Sequence, residues 1–256
     1  TNGLSPAYKD EAWDELMLYD DHVIFNSPKQ ERKVVQRAKA AGKQVGRRLK
    51  PECSTQEGHG IYDPCGKYSR LGTTKANLDA ETADMLDGVH MHTLCEQDSD
   101  ALEITVAALE EKFGDVLKKV KWINLGGGHH ITREGYDIER LVRTVNGLSD
   151  RYGAQVYLEP GEAVVLDAGT LHTRVLEVMR NSIDIAVLDA SAACHMPDVP
   201  DMPYRPPLSG SRQPGDKAHP HSPPRPTRLA WDALGPHSLH PPLPHAAHPA
   251  SGALAL

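Results

Sequence analysis

Four short runs bring reactive side chains next to turns. In "WINLGGGHHIT", residues 122–132, Gly126, Gly127 and Gly128 immediately precede His129 and His130. Bare glycine amides at a strand end can approach a phosphate closely, and a following helix favours the anion. Ordinary tight turns also use such glycines. "YLEPGEA" sets Glu159 and Glu162 three apart across a Pro-Gly turn. Paired carboxylates can act as acid and base, flank a protonated heterocycle, bind an amine, or merely solvate a turn. "HMHTLCEQ" carries His90 and His92, which share a strand face if the strand stays regular. "DASAACHMPDVPDMPYRP" offers Asp189, Cys194, His195 and Asp198 where an apolar run becomes a loop. No pair of neighbouring ligands closes a metal site. Three would have to converge over long range, so no metal is assigned.

Positioning these runs requires strands that alternate with helices. His22–Phe25 reads as a strand, Ser27 as an N-cap with Pro28 at the first helical position, and Gln44–Leu49 as the next strand after Gly42. Further strands are predicted at Gly88–His92, Trp122–Leu125 and Val156–Leu158. Helical periodicity covers Asp100–Val120, with Leu102, Val106, Leu109 and Phe113 on one face, and Arg133–Tyr152. This is the pattern of parallel strands joined by crossover helices, in which chemistry gathers at the carboxyl ends of strands. After Gly169 the pattern changes: Thr173–Met179 and Ile183–Leu188 read as strands with no helix between.

The 256 residues are 39% hydrophobic with a formal net charge of −7. That balance gives no basic field for nucleic acid and suits a cationic small molecule better. No apolar run reaches the roughly 20 residues of a membrane span. Four cysteines without CxxC spacing point to a reduced, cytoplasmic setting. From Val199 onward lie 14 of the 20 prolines, and from His219 six histidines, so the end reads as irregular.

Taken in order over roughly residues 1–219, "SPAYK", "HVIFNS", "SRLG", "HMHTLCEQ", "WINLGGGHHITREGYD", "VYLEPGEAVVLDAG", "LDASAACHMPDVPDMPYRP" and "PGDKAH" resemble the carboxynorspermidine decarboxylases. These are pyridoxal 5'-phosphate enzymes of the alanine racemase and ornithine decarboxylase barrel group. The resemblance implies that His92 stacks on the cofactor ring and Gly126–Gly128 receive its phosphate. Glu159 would keep the pyridinium nitrogen protonated, so that the ring works as an electron sink. Arg48 would support the stacking histidine or a nearby carboxylate. Glu162 stands where related diaminopimelate decarboxylases carry an arginine. With Asp198, and Asp232 surviving further on, it would bind the cationic arm of carboxynorspermidine or carboxyspermidine. A homodimer is implied as well.

The chain also departs from that pattern. The family's Schiff-base lysine and first two barrel strands lie upstream of the segment matching "SPAYK". In "PRPTRLAWD", residues 224–232, Arg228 stands where the family has a proton-donating cysteine. The expected architecture is α/β: a partial (β/α)8 barrel over 1–168, the start of a β-rich domain over 169–218, and an irregular Pro/His-rich tail over 219–256. The expected function is decarboxylation in polyamine biosynthesis, with this chain inactive or nearly so. Two alternatives are a non-catalytic polyamine-binding or dimer-partner pseudoenzyme, and a metal hydrolase using His92, His129 and His195.

Overall fold

The computed structural model describes residues 1–3, 5–56, 63–181, 184–197, 199, 206 and 208, and the backbone alone at 183, 226–230, 243–244 and 253–255. The chain forms two compact units, Thr1–Leu166 and Asp167–Leu256.

The first unit opens with α1 (Ala12–Tyr19), β1 (His22–Phe25), α2 (Pro28–Ala40) and β2 (Gln44–Arg48). Ser27 accepts from the Gln30 amide and Pro28 occupies the first turn of α2, as local chemistry dictates. Next come the single-turn α3 (Ala80–Ala83), β3 (Gly88–His90), α4 (Ser99–Leu117) and β4 (Trp122–Asn124). α5 (Ile138–Tyr152), β5 (Gln155–Tyr157) and α6 (Gly161–Val165) complete it. The predicted strands are all present, but β3 and β4 end one or two residues early, which leaves His92 and Leu125 in the loops that follow. Helix α5 begins at Ile138 rather than Arg133, because the Asp137 carboxylate caps the Arg140 amide. It closes on Gly153 in the left-handed region (φ 63°).

The five strands pair in parallel in the order β1-β2-β3-β4-β5, with no reversal. Helices α4 and α5 cover one face. Leu102, Val106, Leu109 and Phe113 pack with Val89 and Ile123 in one core cluster, and α1 and α2 contribute Trp13, Val34 and Val35 to another with Phe25 and Val45. Elsewhere in the sheet Trp122 lies over Gly46 and Gly88, where an added Cβ would come within 2.3 and 1.9 Å of the indole. Only glycine therefore fits at those two strand positions. The His22 ring stacks on Trp122 at 4.3 Å and meets Tyr157 edge-on at 5.1 Å. In a flat sheet strands four places apart lie about 19 Å apart. The approach of β1 to β5 through these rings thus requires a strongly curled sheet.

In the second unit, β6 (His172–Asn181) and β7 (Ile183–Leu188) form an antiparallel pair, followed by the short α7 (Ala192–His195). The stretch from 219 was expected to be irregular, and here the expectation is corrected. It supplies β8 (Pro226–Ala230), β9 (Leu243–Pro244) and β10 (Ala253–Ala255), giving a sheet of order β10-β6-β7-β8-β9. Thr227–Ala230 and Ala253–Ala255 are proline-free, so their amides can enter a ladder, while Pro226 begins β8 and Pro244 ends the edge strand β9. A small core of Ala186, Leu188, Ala190, Ala192 and Leu208 holds this unit together.

Candidate functional site

The carboxyl ends of β3, β4 and β5 meet at one carboxylate. Glu159, two residues past β5, places Oε2 3.3 Å from His90 Nε2 and accepts from Asn124 Nδ2 through Oε1 at 2.8 Å. His90 and Asn124 are the last residues of β3 and β4, and both are buried. Burial lowers the His90 pKa against the opposing pull of Glu159. The imidazole is therefore neutral near pH 7, and its Nε2–H is the donor to the carboxylate. On Glu159 burial works to raise the pKa, but His90 and Asn124 outweigh it and keep the carboxyl below the usual range. The site thus holds an ionised carboxylate, half-buried and fixed from two sides.

The glycine run is built into the same corner. Asn124 Oδ1 accepts from the Gly126 amide at 2.8 Å, so one side chain ties the loop to Glu159. The Glu159 amide donates back to the Gly126 carbonyl at 2.8 Å. A Cβ on Gly126, Gly127 or Gly128 would approach carbonyl oxygens of Met91, Glu159 and Leu94 to 2.5, 2.5 and 2.2 Å. Gly126 and Gly128 also have φ of 70° and 82°. Close packing against the neighbouring strand ends explains all three glycines.

His92 Nδ1 accepts from the Gly127 amide at 3.2 Å. Burial, assisted by the Arg48 charge, lowers the His92 pKa to about 4, so the ring is neutral with its proton on Nε2. Arg48, at the end of β2, is buried and donates to the Gly3 and His92 carbonyls at 3.1 and 3.4 Å. Burial lowers its pKa to about 10, and the guanidinium stays charged.

A cavity of about 270 Å³ opens beside His92, lined among others by Cys95, Glu96, Gly128, His130 and Glu162. Glu162, in the first turn of α6, sits with Oε1 3.3 Å from His130 Nε2. The structure thus brings His92, Gly126–Gly128, Glu159, Arg48 and Glu162 into one region, although they come from a strand end, three loops and a helix start that lie far apart along the chain. Asp198 and Asp232 lie outside the described residues, and Arg228 is described only by its backbone, paired with Ile185 between β8 and β7. The triad of His92, His129 and His195 finds no support: His129 Nε2 is bonded to the Gly126 carbonyl at 3.0 Å, and His195 is bonded to Ser191 within α7's own turn.

Sequence reasoning noticed His90 and His130 but gave them no role, and passed over Asn124 and Glu96 entirely. The H-x-H spacing was a signal for His90. Asn124, one residue from the glycine run at a strand end, carried a fainter one.

No family model matches the chain. Among curated proteins it is 42% identical over 200 residues to a carboxynorspermidine/carboxyspermidine decarboxylase of Campylobacter jejuni, covering 78% of this chain and 52% of that protein. It is 33% identical over 243 residues to a carboxyaminopropylagmatine decarboxylase of Synechocystis, covering 93% of this chain and 62% of that protein. A solved structure of carboxynorspermidine decarboxylase from Campylobacter jejuni, complexed with norspermidine, superposes with a TM-score of 0.83 at 32% identity, over 98% of this chain and 66% of that one. The chain spans somewhat more than half the length of the curated relatives it matches. By sequence and by fold together, this chain is similar to the carboxynorspermidine/carboxyspermidine decarboxylases.

Proposed function

We propose that this chain provides a cofactor and substrate site for the pyridoxal-phosphate-dependent decarboxylation of a carboxylated polyamine, carboxynorspermidine or carboxyspermidine. The observation that carries the reading is the ionised Glu159, clamped by His90 and Asn124 beside the neutral His92 ring. A pyridine nitrogen placed against that carboxylate stays protonated, which is what an electron-withdrawing ring needs. The residues fit the group in two further respects. The glycine loop is packed too closely for side chains, and the Gly128 amide has no acceptor among the described residues. A phosphate would find its donors there.

Pyridoxal phosphate, when bound, supplies the electron sink into which the carbon–carboxylate bond breaks. Glu159 holds the ring-nitrogen proton, and the flat face of His92 orients the ring. Arg48 fixes His92 by its carbonyl and adds positive potential on that side. Glu162 faces the cavity as a carboxylate suited to an ammonium group, consistent with norspermidine in the related solved structure. The reading includes closure of the curled sheet into a barrel, a two-fold dimer and a cytoplasmic setting; no helix of the described residues is long and apolar enough to cross a membrane. No observation favours the non-catalytic alternative.

The test is titration of the full chain with pyridoxal phosphate, followed by borohydride reduction and peptide mapping, with carbon dioxide release measured from both substrates. Saturable binding that weakens in Glu159→Gln supports the site. Scattered, substoichiometric labelling that Glu159→Gln leaves unchanged overturns it.

A further inference from the structure

We propose that Glu96, His130 and Glu162 form a binding site for one divalent transition-metal ion of the zinc class, at the mouth of the cavity. One ligand atom from each of the three lies within 4.8 Å of the other two. They come from two loops, after β3 and after β4, and from the first turn of α6, so nothing in their spacing announces the group. His130 supplies the second, independent observation. It is 8% exposed, both ring nitrogens are buried, and neither makes a hydrogen bond among the described residues. The 3.3 Å approach of Nε2 to Glu162 Oε1 shows where the ring points, though it lacks hydrogen-bond geometry. A buried imidazole whose ring nitrogens make no hydrogen bond costs free energy, and a metal ion would satisfy it.

The donor set selects the ion. One imidazole nitrogen and two carboxylate oxygens suit Zn²⁺ and its neighbours, with protein ligands at about 2.0–2.2 Å. Mg²⁺ favours all-oxygen, octahedral, water-rich sites and fits poorly. Both glutamates are exposed, so their side chains can turn toward an ion held by His130, and the adjoining cavity has room for water.

The site has a functional consequence that rests on the reading of Glu162 as the anchor of the substrate's cationic arm. Glu162 cannot hold a metal dication and an ammonium group together, since the two cations would repel at contact distance. A bound metal ion would therefore exclude the polyamine, and the polyamine the metal.

Zinc chloride is titrated calorimetrically into the full chain, its Glu96→Gln and its His130→Gln variants, and repeated with norspermidine present; Co²⁺ absorption reports the ligand field. The expected result is one Zn²⁺ event in the wild type that is about tenfold or more weaker in each variant, with Mg²⁺ inert. Glu96 is exposed, so its variant tests the site even if the His130 variant folds poorly. Identical isotherms in the wild type and Glu96→Gln overturn the proposal, because the tail histidines and free cysteines then account for the binding. If the variants lose zinc but norspermidine fails to compete, the metal site stands and the substrate role of Glu162 falls.

Discussion

β4 and β6 show two ways of placing a strand in this chain. Every residue of β4, like every residue of β3, is buried, as expected where a parallel sheet is packed on both faces. β6 is ten residues long, yet only Thr173 on it is buried. The consequence reaches past packing into chemistry. All the buried charged or histidine side chains among the described residues, including Glu31, Arg47, Arg48, His90 and His130, lie in the first unit. Where both faces exclude water, a neighbouring charge or hydrogen bond decides which protonation state exists, and functional groups can be tuned. In the second unit solvent screens them.

Four measurements would break or sharpen that contrast. The largest expected effect is at Arg47, fully buried in an ion pair with the equally buried Glu31. Arg47→Ala strands the Glu31 charge and should cost about 3–5 kcal/mol in denaturant unfolding, whereas replacing both residues with apolar ones should cost far less. If the single and double changes proved alike, the pair would not be desolvated as described. Next, Phe113→Ala in the core should lose about 3–5 kcal/mol, while Val178→Ala on β6 stays within about 0.5 kcal/mol. Comparable losses at both would erase the distinction between the units.

Acid stability is a gentler probe. The folded His92 has its pKa lowered from 6.5 to about 4, so between those values the unfolded chain binds the extra proton. Stability should thus be intact above about pH 6.5 and decline as the pH falls through the window toward 4. His92→Gln should flatten that slope, and a slope unchanged in the variant would show that His92 is not the buried neutral ring. The smallest effect is at a helix end. Asp137→Ala removes the cap on Arg140 at the start of α5 and should cost about 1 kcal/mol in thermal unfolding.

Much of the first unit was legible because its signals are local. Ser27 and Pro28 start α2, Gly42 follows its last turn, and the apolar spacing from Leu102 to Phe113 marks the buried face of α4. That the strands run parallel followed from their alternation with helices, whereas their order came from the structure. The tail was misread because proline content describes a stretch on average, whereas a ladder needs only a few consecutive free amides, as at Thr227–Ala230. Glu159, the glycine run and His92 were found from their residue types and from resemblance, but their partners were not. Asn124 is separated from Glu159 by 35 residues and His90 by 69.

The sequence by itself determined where the strands and the longer helices of the first unit form, and which proteins the chain resembles, because each is written in neighbouring residues or in matched runs. Only the tertiary structure decided that His90 is neutral, that Glu159 is ionised between two donors, and that Glu96, His130 and Glu162 face one another. Protonation and coordination depend on distance and on the exclusion of water, and both are set by the curl of a sheet that joins residues far apart along the chain.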